Sequence, residues 1–257
     1  AVRLCAPPPT PGPPPRPTPP TRAGGANISV PGGGYVVGSL TTHRSLVAHL
    51  AQETSCAVYA LDYRLAPEHP LPAGLDDAEA AFLDLVRNVG YRPDQICLAG
   101  DSAGGGLALA LAQRLIDKHA MTPAALGLIA PWVDPTQVPA KARDLVINRA
   151  WSQACAAYYL GDGAATDAGY APLTGNLLGL PPTYVQADVS ELLHDQCCQL
   201  VSAMRGAGVH VRFTETRGLW HVAQAQAALV TEAALALSEL AEFLREAIQP
   251  VSIDDLR

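Results

Sequence analysis

The chain has 257 residues, 49% of them hydrophobic, which is enough apolar matter for one sizeable core and makes a single α/β domain the default expectation. Its formal net charge of -7, with no run of Lys or Arg, argues against a nucleic-acid partner and leaves neutral or apolar small molecules as the easier ones to bind. No apolar run approaches the roughly 18–20 residues of a membrane span, and no basic start leads into an apolar stretch, so a cytoplasmic location is expected.

Residues 1–26 are dominated by proline, as in Pro7-Pro8-Pro9 and Pro13-Pro14-Pro15, and read as a low-complexity segment without strand or helix. From residue 27 to the end the pattern is one α/β domain. A short strand over 28–30 runs into Gly32-Gly33-Gly34, and 42–53 has the apolar spacing of a helix. The run 56–62 is rich in strand formers, 75–89 reads as a helix, and 95–99 as a buried strand. The glycine-rich stretch 100–106 then opens a helix over 107–118. Strands over 126–131 and 183–187 bracket an insert at about 135–180, with a helix over 150–160, suited to act as a cap or lid. A helix over 192–207, a strand over 209–214 and a long helix over 224–248 complete the βα alternation. The six cysteines show no C-x-x-C spacing and read as reduced thiols, the adjacent Cys197 and Cys198 as small apolar positions on a helix.

The strongest chemical signal is Gly100-Asp101-Ser102-Ala103-Gly104, a G-x-S-x-G between a buried strand and a helix. Glycines on either side of the serine suit a turn so sharp that neighbouring side chains would collide. A serine hydroxyl needs a base, and the base needs a carboxylate that orients it. His221, in the loop beyond the last strand, suits the base. His43, His69, His119, His194 and His210 fall where surface or packing roles are simpler. For the acid, Asp188, Glu191 and Asp195 all lie between Ser102 and His221, and spacing does not choose among them. The amides of Gly32, Gly33, Gly34 and of Ala103, the residue after the serine, are the candidate donors of an oxyanion hole.

Three segments together, P-G-G-G-Y-V-V-G-S at 31–39, D-Y-R-L-A-P-E-H-P at 62–70 and G-D-S-A-G-G at 100–105, resemble the hormone-sensitive-lipase-like esterases (bacterial family IV), and the similarity runs from about residue 28 to 247. That resemblance implies an α/β-hydrolase fold, a mostly parallel central sheet with helices on both faces and a small helical cap. It further implies serine carboxylesterase activity on short- to medium-chain acyl esters, no metal or organic cofactor, and a possible homodimer. S-E-L-L-H-D at 190–195 matches the family's acid-bearing segment and puts Glu191 in the role, with Asp188 as the alternative. Tyr63, Arg64 and Glu68 are implied to be scaffold. Pro31 stands where the family has a histidine before the glycines, and it brings neither that side chain's hydrogen bonds nor an N–H. The competing reading is therefore a ligand-binding member of the same fold with impaired catalysis. Retention of His221 favours the enzyme.

Overall fold

A computed structural model of the chain describes residues 24–248 in full and, of the N-terminal segment, the backbone of residues 2–5. Within it, seven strands form one sheet in the order β1-β3-β2-β4-β5-β6-β7. The strands are β1 (Val2–Cys5), β2 (Ala26–Val30), β3 (Ala57–Leu61), β4 (Ile96–Asp101), β5 (Ala125–Ile129), β6 (Thr183–Asp188) and β7 (Val211–Thr216). All neighbouring pairs run parallel except β1, which pairs antiparallel with β3. This edge strand corrects the reading of the first 26 residues: Val2–Cys5 precedes the first proline run, keeps its N–H groups and can join a ladder. The proline tract at 6–23 lies outside the described residues.

Alternation along the strands feeds two cores, because successive side chains in a strand point to opposite faces. Ile96 and Leu98 of β4 enter the larger core, while Cys97 and Ala99 enter the smaller one on the opposite face. Helices α1 (Arg44–Thr54) and α6 (Thr231–Ile248) cover the smaller core through Leu46, Leu50, Leu237, Leu240 and Leu244. The larger is covered by α2 (Ala73–Asp84), α3 (Ser102–His119) and α5 (His194–Gly206), which contribute Phe82, Leu107, Leu111, Leu200 and Met204. Strands buried on both faces have no polar side to show, which is why 96–99 reads as a continuous apolar run.

Several element ends differ from the sequence reading. The helix expected over 107–118 begins five residues earlier, at Ser102, because the glycine-rich stretch is already its first turn. The helix expected over 75–89 ends as α-helix at Asp84 and continues as a π-type turn over Leu85–Val89. The long terminal helix is broken: a 3₁₀ turn at Ala223–Gln226 is separated from α6, which starts at Thr231. The insert between β5 and β6 carries α4 (Arg149–Leu160), whose Tyr159 ring stacks on Tyr35 with centroids 3.7 Å apart. No helix among the described residues is long and apolar enough to cross a membrane.

The chain leaves β2 for β3 on one side and then crosses to β4 on the other, so the carboxyl ends of β2 and β4 diverge at a topological switch point. Open α/β sheets bind ligands in the crevice created there. Both the glycine loop that leaves β2 and the turn that leaves β4 open into it. Leu107, fully buried on α3 just beyond this turn, makes the frame testable. Leu107→Ala is expected to lower unfolding free energy by about 2–5 kcal/mol in urea titrations followed by circular dichroism.

Candidate active site

The turn after β4 is shaped by contacts that only glycine tolerates. A Cβ on Gly100 would overlap the carbonyl of Gly104, and a Cβ on Gly104 would overlap the carbonyl of Val30. Between them Ser102 adopts φ 50°, a left-handed conformation that costs an L-residue on the order of 1–3 kcal/mol. The strained turn lifts the serine hydroxyl out at the head of α3. There Ser102 Oγ lies 2.9 Å from His221 Nε2, and His221 Nδ1 lies 2.7 Å from Glu191 Oε2. All three residues are buried, and the other oxygen of Glu191 accepts a hydrogen bond of 2.8 Å from the Asp188 N–H.

Asp188 has a different task. Its Oδ1 accepts from Ser190 Oγ and N–H, and its Oδ2 accepts from Thr216 Oγ1 and the Leu219 N–H. Burial opposes its charge, yet these donors outweigh burial and hold its carboxyl below the ordinary value. Asp188 thus ties the end of β6 to the end of β7 and to the loop carrying His221. Asp195, the third candidate, is exposed at the start of α5 beside His194.

On the opposite side of Ser102 runs the glycine loop. Asp101 holds the residue position just before α3, where a carboxylate ordinarily caps the helix amides. Here it makes no such cap. Its Oδ1 accepts from the Gly32 N–H at 3.1 Å and its Oδ2 lies 3.2 Å from His43 Nε2. This corrects two expectations. Gly32, grouped with the oxyanion donors, has its amide occupied by Asp101, whereas the Gly33 and Gly34 N–H groups have no acceptor among the described residues. His43, read as a surface or packing residue, faces the site cavity; its position at the start of α1 did not reveal a partner 58 residues away. The loop also gains an anchor where Pro31 lacks one, since Tyr63 Oη donates to the Pro31 carbonyl at 2.9 Å. Tyr63 is scaffold, as is Arg64, which pairs with Asp77 through two donors; Glu68 is exposed.

A cavity of about 590 Å³ joins these parts. Ser102, His221 and the glycine loop line one side, while Val146, Ile147 and Trp151 from the insert form a mostly apolar wall. Gly34 packs directly beneath that wall, because a Cβ there would come within 2.6 Å of the Trp151 ring. Such a volume suits a small organic ligand with one apolar arm.

Burial disfavours a charge on His43, but the hydrogen bond and charge of Asp101 outweigh it and raise the imidazole above its ordinary value. A raised folded-state value means that the pair stabilises the fold fully below the ordinary imidazole range and loses that contribution as pH rises through the raised one. The stability difference between the native chain and His43→Ala is therefore expected to be larger at about pH 5 than at about pH 9, as read from urea midpoints.

Comparison with known proteins bears on the fold and the family. Residues 28–225 match the model of a family described as having the alpha/beta hydrolase fold. An acetyl-hydrolase of Streptomyces hygroscopicus is 38% identical over 84% of this chain and 74% of its own length. An esterase of Acinetobacter venetianus is 36% identical over 83% of this chain and 72% of its own. The crystal structure of an esterase from the bacterial hormone-sensitive lipase family superposes with a TM-score of 0.84 at 37% identity, covering 87% of this chain and 77% of that one. By fold, motifs and relatives, this chain belongs to the hormone-sensitive-lipase-like family of serine carboxylester hydrolases within the α/β-hydrolase fold.

Proposed function

We propose that the chain hydrolyses short- to medium-chain acyl esters through an acyl-enzyme, with Ser102 as nucleophile, His221 as general base and Glu191 as its orienting acid. The observation that carries this reading is the unbroken line of hydrogen-bond distances from Glu191 through His221 to Ser102. With its proton on Nδ1 and directed at Glu191, the imidazole presents a free Nε2 lone pair to the serine hydroxyl. Ser102 Oγ attacks the ester carbonyl as its proton passes to Nε2, and the carbonyl oxygen becomes an oxyanion. Nε2–H then protonates the departing alkoxide, leaving Ser102 acylated. A water, deprotonated by the same nitrogen, attacks the acyl carbon and releases the acid and Ser102.

The oxyanion is assigned to the N–H groups of Gly33, Gly34 and Ala103. Because Asp101 is turned away to the glycine loop, the first amides of α3 keep their positive end towards the site, which favours charge developing beside Ser102. The apolar wall of the insert would hold the acyl chain, and the modest cavity together with the acetyl-hydrolase among the relatives favours short chains. The reading as a ligand binder rested on Pro31 and on the proline-rich N-terminus, of which the second lies largely outside the described residues. Tyr63, Asp101 and His43 hold the loop at Pro31 by other bonds, so Pro31 gives no reason to expect a dead site.

Against a p-nitrophenyl ester series from acetate to dodecanoate, turnover is expected to be greatest at the short end and to fall roughly 10³-fold or more in Ser102→Ala. Equal rates in both chains would refute the nucleophile. Glu191→Gln should cost roughly 10⁴-fold in kcat, whereas Asp188→Asn should lower mainly the unfolding free energy, by about 1–3 kcal/mol. A larger loss of kcat in Asp188→Asn than in Glu191→Gln would reverse the choice of acid. His43→Ala should reduce kcat roughly 10–100-fold with a smaller change in KM, and His43→Gln, which keeps a donor towards Asp101, should recover part of it.

A further inference from the structure

Away from the catalytic cavity, three side chains with metal-ligating atoms converge at the junction of α5 and β7. His194 and Cys198 stand four residues apart on α5, and so on one face of the helix, while Glu215 comes from β7. Their ligand atoms all lie within 4.8 Å of one another. We propose that His194, Cys198 and Glu215 form a binding site for a zinc-class divalent cation that clips α5 to β7.

The donor set is one imidazole, one thiol and one carboxylate, which together suit a borderline-soft divalent ion and not the hard, all-oxygen preference of calcium or magnesium. The spacing approaches that of a loaded site. Zinc bonds of about 2.05 Å to nitrogen and 2.3 Å to sulfur at a tetrahedral angle place those two atoms about 3.5 Å apart. Cys198 Sγ lies 3.6 Å from His194 Nε2, but it also lies 3.9 Å from Nδ1, beside the ring, so the thiol has to turn towards the Nε2 lone pair as an ion binds. Glu215 Oε1 is 2.7 Å from the same nitrogen, held by a shared proton, and needs to move outward by roughly 0.6 Å when an ion replaces it. The ring proton then sits on Nδ1, and Asp195 Oδ1, 3.9 Å away, has to approach by about 1 Å to accept it. The thiol proton leaves to solvent, and water fills the fourth position. The His194 side chain is 15% exposed and that of Glu215 44%, so an ion has access from solvent without opening the core.

The position gives such an ion a mechanical role. His194 follows Glu191 by three residues, and Glu215 precedes the loop that carries His221. An ion shared between α5 and β7 fastens the two segments that meet in the Glu191–His221 contact, as Asp188 does from the other side.

The untagged full chain, freed of metal, would be titrated with cobalt(II). The expected result is a thiolate-to-cobalt absorption in the near ultraviolet that saturates at one ion per chain and is displaced by zinc. It should vanish in Cys198→Ala and His194→Ala and persist in Cys56→Ser, which removes the other partly exposed thiol among the described residues. Zinc at about 100 times Kd should raise the thermal midpoint of the native chain by roughly 5–10 °C and leave that of Cys198→Ala unmoved. Absence of the absorption at millimolar cobalt, or its survival in a Cys198→Ala chain with native circular dichroism, would overturn the site.

Discussion

The Asp101 carboxylate is bonded at once to the amide of Gly32 and to the imidazole of His43, and the whole active face is built around that arrangement. Asp101 is the last residue of β4, while Gly32 follows β2 and His43 precedes α1. One buried side chain therefore locks the two loops that diverge at the switch point of the sheet. A carboxylate buried to 4% exposure would be unfavourable without partners, so the loops are drawn to it as strongly as it is to them. In taking this role it gives up the helix cap that its position would otherwise supply, and the first amides of α3 are left facing the site.

Strain at Ser102 is stored against that frame. A left-handed serine between two glycines whose missing Cβ atoms make room for backbone carbonyls is unfavourable by itself. It persists because β4 is buried along its full length and α3 is buried over most of its first four turns, so that relaxing the turn would drag core residues with it. The Trp132 N–H bond to the Ser102 carbonyl, 2.8 Å long, fastens the turn from the next loop. On the other bank of the cleft, Asp188 serves the His221 loop much as Asp101 serves the glycine loop, which explains why a carboxylate so close to Glu191 makes no contact with the histidine.

The elements were legible where their signal is local. Buried parallel strands announce themselves as apolar runs, and a G-x-S-x-G between strand and helix announces a sharp turn, because the chemistry that requires each is contained in a few neighbouring residues. Ends were less legible. The helix at 224–248 reads as continuous from its apolar spacing, yet it is interrupted between Gln226 and Thr231, where the chain has to pass from the His221 loop to the back of the sheet. Strand β1 was hidden by the composition of its surroundings: four residues with ordinary strand propensity precede a proline tract, and only pairing with β3 distinguishes them.

The order of strands β2 to β7 and of the helices between them, the serine turn, the candidate histidine and the short list of acids followed from residue types and their spacing, because each reports a demand made within one turn or one strand. Spacing left open which carboxylate meets His221, with only the family resemblance pointing to Glu191; which glycine amides remain free and that His43 faces the cavity were decided by tertiary structure alone. Each depends on where β2, β4, β6 and β7 lie side by side in the sheet, and contacts between residues 30, 58 or 119 positions apart leave no periodic trace along the chain. The same holds for His194, Cys198 and Glu215, two of which share a helix face while the third comes from a strand that only folding sets beside it.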